Sequence, residues 1–195
     1  MINRCVLSTA VVALVLGMAA CSSDDGTGTP EASAGAAWAG GVCSAMTDLE
    51  ASLKDLGQGL DVTMGSGDAV DQFKSQVSEQ VDTVKADLDA LATAASDVPA
   101  DASSDVTAEA SDLETQRADL ETSVGDVDTA ISAVTDADSA PALATSVASA
   151  STAIKAAADD LSTYVSSLES AASSGADSVQ AAFDEAPECA AYTKS

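Results

Sequence analysis

The chain has 195 residues, enough for one domain and an end segment to discard. It carries 32 Asp and Glu against 7 Lys and Arg, a formal charge of −25, lacks histidine, and is 46% apolar but only 3% aromatic. Such an acidic chain is repelled by nucleic acid and by anionic headgroups, which bind mainly through Lys and Arg. Without histidine there is no Ser-His-Asp triad, no Cys-His pair and no His-ligated metal. So few aromatics also argue against base stacking.

Residues 1–20 read as a targeting segment. Arg4 supplies a thin positive end, and Val6 to Ala20 form an apolar run shorter than the roughly 20 residues that span a bilayer comfortably. The run ends in Leu16-Gly17-Met18-Ala19-Ala20-Cys21 and is followed at once by Ser22-Ser23-Asp24-Asp25-Gly26. Small residues before a cysteine, then a polar tether, resemble the lipobox of bacterial lipoproteins, with Met18 where that pattern usually has Leu. The resemblance implies cleavage before Cys21 and its lipidation. From the residues alone, ordinary secretion with Cys21 as a spare thiol and a retained membrane helix are the alternatives. Residues 21–36, rich in Ser, Gly, Thr and Pro, cannot bury enough apolar surface to order themselves and read as a tether. The domain is then expected over 37–195.

Beyond the tether, apolar residues recur at alternating intervals of three and four, the seam of packed amphipathic helices. A first helix is expected over about 37–56, with Trp38, Val42, Met46, Leu49, Leu53 and Leu56 inward. Gly57 and Gly59 end it, and Lys54 lies in its last turn, where a cation suits the dipole. The second, over 68–96, carries Val70, Phe73, Val77, Val81, Val84, Leu88 and Leu91, with Asp68 or Ser66 as its cap. Past Pro99, a third carries Val106, Ala110, Leu113, Leu120, Val124, Val127, Ile131 and Val134, with Arg117 where the pattern asks for an apolar residue. Asp138 or Ser139 followed by Pro141 opens the fourth, whose inward residues are Leu143, Val147, Ala150, Ile154, Ala157, Leu161, Tyr164 and Leu168. A short helix near 176–186 carries Val179 and Phe183. No alternating run of useful length suggests a strand. The expected fold is all-α, a slender antiparallel bundle of about four long helices plus a short C-terminal one.

Cys5 leaves with the targeting segment and Cys21 is acylated, so Cys43 and Cys189 remain. In an oxidising compartment two such thiols are expected to close into a disulfide. An up-down-up-down bundle brings the start of the first helix and the chain end after the fourth to the same end, where they can meet. Closing so long a loop removes roughly 5 kcal/mol of denatured-state freedom in the chain-entropy model. Two free thiols or a redox centre are the alternatives, although redox pairs are usually a close C-x-x-C.

The remaining candidate sites each have two readings. Trp38 is a partner anchor, or it packs over the disulfide and seals the bundle end. Arg117 can pair with Glu114 and Glu121 at i−3 and i+4. It is then either a seam charge that binds an anion or sets register, or a stem that covers apolar surface while its head reaches solvent. Asp126-Val127-Asp128 and Asp136-Ala137-Asp138 supply only the first half of a calcium loop, without glycine or closing glutamate. No metal, cofactor or catalytic group is expected.

The Trp38-Ala39-Gly40-Gly41-Val42-Cys43 start, the late cysteine and the Ala/Asp/Ser/Thr/Val-rich middle resemble small helical lipoproteins of high-GC Gram-positive bacteria. That resemblance implies location and architecture but no reaction. The expected function is a non-enzymatic envelope interaction or structural module, lipid-anchored through Cys21 on the outer face of the plasma membrane, with an envelope protein as partner. An acidic binding module for cations or a cationic partner is the alternative.

Overall fold

The computed structural model describes residues 34–60 and 68–193, all of whose regular elements are helical. The targeting segment, Cys21, most of the expected tether and the candidate cap Ser66 lie outside the described residues. Four long helices follow one another: α1 (Ala34–Leu60), α2 (Asp68–Ser96), α3 (Ser104–Asp136) and α4 (Ala140–Ser174). A short α5 (Asp177–Glu185) and a closing 3-10 turn (Pro187–Ala191) complete the chain. At 1.5 Å per residue the 35-residue α4 is roughly 50 Å long.

The predicted seams are the buried faces. Phe73, Val77, Val81, Val84, Leu88 and Leu91 of α2 are buried, as are all the apolar seam residues of α3 from Val106 to Val134. In α4 the buried line runs Leu143, Ala150, Ile154, Ala157, Leu161, Tyr164, Leu168, with Val147 half-buried. Sequential helices pack along their lengths, α3 on α4 and α1 on α2 most extensively, whereas α1 meets α4 over a much shorter stretch. Into the gap at one end comes α5, which packs on α1, α4 and α3.

The outer faces are polar yet self-contained. Thr83, Thr93, Thr115, Thr122, Thr145 and Ser166 each donate a hydroxyl hydrogen bond to the carbonyl four residues back. This local bonding explains how so many Ser and Thr are accommodated in long helices. The helix ends are met individually. Ser103 caps α3 by accepting from the Val106 amide at 3.2 Å. Lys74 of α2 donates to the Thr135 and Ala137 carbonyls at 2.9 and 2.5 Å, serving the orphan acceptors at the end of α3. Ser139 and Pro141 open α4, but the Ser139 side chain makes no capping bond.

The boundaries of α1 depart from expectation at both ends. It begins at Ala34, ahead of the expected domain start, because Gly35 and Ala36 are already buried. It also passes through Gly57 and Gly59 to Leu60 and has no basic residue in its last turn, so Lys54 is not a terminal cation. A glycine inside a helix costs about 1 kcal/mol relative to alanine, but packing decides here. A β-carbon at the buried Gly59 would collide with the Gln80 side-chain amide.

Candidate functional site

Cys43 on α1 and Cys189 in the 3-10 turn form a disulfide across a sequence separation of 146, with Cα atoms 5.2 Å apart. Both residues are fully buried. Around them the bundle end is closed by aromatic packing. Trp38 is 3% exposed, meets the Phe183 ring edge-on at a centroid distance of 5.9 Å, and donates from Nε1 to the Ala95 carbonyl of α2 at 3.2 Å. A tryptophan so covered, with its only donor satisfied, offers nothing to a partner, so the partner-anchor reading of Trp38 is corrected. Tyr192 folds back on α1, its hydroxyl sharing a hydrogen bond with Thr47 at 3.2 Å. Burial raises the Tyr192 phenol above its ordinary value, and the Thr47 contact partly offsets this.

Arg117 occupies the predicted seam position with its side chain only 14% exposed. Its Nε and Nη2 donate to Glu114 at 3.0 and 2.7 Å, and Nη1 donates to Glu121 at 3.0 Å. These bonds hold the guanidinium firmly protonated and draw the Glu114 carboxyl below its ordinary value. With three donors committed to its own helix, Arg117 is a covering and pairing residue rather than an anion receptor. Close by, the buried Tyr164 hydroxyl has no hydrogen-bond partner. Desolvation raises this phenol, with Glu114 adding to the effect. A shallow polar hollow between α3 and α4 is lined by Glu109, Asp112, Gln116, Ser167 and Ser170. Burial, and then the Asp112 charge, raise the Glu109 carboxyl, while Gln116 Oε1 is buried without a donor. Among the described residues no group of three or more acidic or cysteine side chains is arranged to hold a metal ion.

A cavity lies between α1 and α4, and the sequence reading did not anticipate it. It is a groove of about 690 Å³ with Leu53, Gly57, Leu60, Ile154, Ala158, Leu161 and Val165 among its walls. Its polar lining comes from Glu50, Lys54, Gln58, Ser151, Lys155 and Ser162. The small residues Gly57 and Ala158 make the space, and neither breaks the heptad pattern. Lys54, read as a helix-end cation, instead stands at this groove.

No protein-family model matches the chain, and comparison with curated proteins and with solved structures finds no match.

Proposed function

We propose that the protein is a lipoprotein held through Cys21 on the outer face of a bacterial plasma membrane, where it acts by contact and not by catalysis. The observation that carries this reading is the buried Cys43–Cys189 disulfide following a lipobox-like Leu16–Cys21 segment. Such a bond forms and persists in an oxidising, extracytoplasmic compartment. The outer faces support contact, because most of their hydroxyls are spent on carbonyls of their own helices. No described helix is long and apolar enough to cross a membrane.

The test has two arms in cells expressing the full chain. Labelling with an alkyne fatty acid is expected to mark the protein and to disappear in Cys21→Ser. Cross-linking of the anchored form is expected to capture a defined envelope protein that is lost in Cys21→Ser. Unlabelled wild-type protein, or only scattered abundant neighbours, would reject the anchor or the interaction role respectively.

The raised Glu109 carboxyl beside Asp112 favours a second reading, an acidic module for cations or a cationic partner. A specific Ca²⁺ site would saturate at low concentration with Na⁺ in excess, whereas diffuse condensation would track ionic strength alone.

A further inference from the structure

We infer that the α1–α4 groove binds a single-chain amphiphile with an anionic headgroup, whose alkyl chain lies along the apolar wall and whose head is held by Lys54 and Lys155. This goes beyond the contact role proposed above and does not depend on the lipid at Cys21.

Size and shape come first. The volume falls within the roughly 300–1,000 Å³ of small-molecule sites, and the wall is aliphatic with polar groups at its border. The helices approach each other at Gly57, where an added β-carbon would stand 3.8 Å from Ile154 Cγ2. A helix with its side chains is about 10–12 Å across, so the space suits an extended alkyl chain and not a partner helix.

Charge then selects the headgroup. The basic side chains of the described residues are Lys54, Lys74, Lys85, Arg117 and Lys155. Lys74 is committed to the end of α3, Lys85 pairs with Asp128, and Arg117 is held by Glu114 and Glu121. The two that remain both line the groove. Lys54 belongs to no ion pair among the described residues, and Lys155 has only an exposed pair with Asp159, of the kind worth little. With Gly57 opposite Ile154 in antiparallel helices, Lys54 and Lys155 fall within about one helical turn of each other along the groove. A chain with a net charge of −25 thus places the two uncommitted cations among its described residues beside an apolar groove. The distant carboxylates are screened beyond about 8 Å at physiological salt, which leaves the local pair to act on a bound head. Glu50 on the same lining disfavours a second negative charge and points to a monoanionic head.

The test is a titration of the full, oxidised chain with dodecanoate, read by backbone amide NMR, with dodecyltrimethylammonium as the matched cation. Dodecanoate is expected to shift the Gly57 and Ala158 amides saturably. Lys54→Gln with Lys155→Gln should weaken dodecanoate about tenfold and should tighten the ammonium probe. Gly57→Leu, whose first carbon fits without collision, should abolish binding while the melt is retained; Ala158→Leu, at an exposed helix position, serves if that variant does not fold. Equal or tighter binding of the ammonium probe at this groove of the wild-type chain overturns the proposal. So do dodecanoate shifts confined to residues elsewhere, or groove shifts that appear on dilution without ligand and mark a second copy as the occupant.

Discussion

Where α1 begins, Trp38, Val42, Cys43 and Met46 are sealed beneath α5 and the 3-10 turn. Along its second half the same helix turns Leu53, Gly57 and Leu60 toward α4 and leaves about 690 Å³ between them. Both halves follow one seam of apolar residues, so the difference lies in side-chain volume and in what covers the seam. The first half has an aromatic pair and a covalent clamp. The second has a glycine opposite Ile154, and among the described residues no further helix lines the groove. A bundle held at one end can leave its opposite flank unfilled, because the clamp and not the flank limits how far the helices separate.

The contrast is broken most directly by reduction. Loss of the Cys43–Cys189 bond is expected to cost roughly 5 kcal/mol, which at about 2–4 °C per kcal/mol lowers the melting temperature by about 10–20 °C. An unchanged calorimetric melt under reductant would show that packing alone holds the closed end. Next in size, Trp38→Ala should destabilise by about 3–5 kcal/mol, since it empties a site in contact with Phe183. Leu53→Ala at the groove should stay near the lower end, about 2 kcal/mol, because the space beside it is already open. If denaturant unfolding gave the two substitutions equal costs, the ends would not differ as described.

Acidity probes the flank formed by α3 and α4. Glu109 is raised in the folded state, so folding binds protons there and stability grows as pH falls through that raised value, in full below the unfolded one. Relief of repulsion in a chain of charge −25 acts in the same direction. Glu114 is lowered by Arg117, so its contribution is present above its unfolded value and is lost as pH falls through its folded one. The melting temperature should therefore pass through a maximum on the acid side of neutrality. A steady fall from pH 7 downward contradicts this. The smallest effect is expected at Tyr164, where Phe removes a buried hydroxyl without a partner; stability should rise by up to about 1 kcal/mol in urea unfolding.

The helical seams were legible because burial in a bundle repeats with the helix, and the apolar seam of α3 is buried over its whole length. Pairing of Cys43 with Cys189 was legible because the helix order brings both to one end of the bundle. The reach of α1 was not, since Gly57 and Gly59 read locally as a stop, whereas Gly59 and Leu60 are buried within the helix. Arg117 and its two glutamates were readable from spacing, but the depth of the side chain was not. The groove left no local mark. It arises from residues about a hundred positions apart, and Lys54 and Lys155 acquire a common address only once α1 lies beside α4.

The position of the clamp also decides how the molecule carries load. Cys43 lies near the start of the first helix and Cys189 near the chain end, so a pull applied at the two termini meets the sulfur bridge first. Tension then runs from one terminal segment through the bridge to the other, and the chain between the two cysteines bears none of it. In a force-extension record the oxidised protein should lengthen only by its terminal segments, and reduction should release the contour of the whole enclosed loop. A module of this design can be tugged from its ends without its helices being drawn apart.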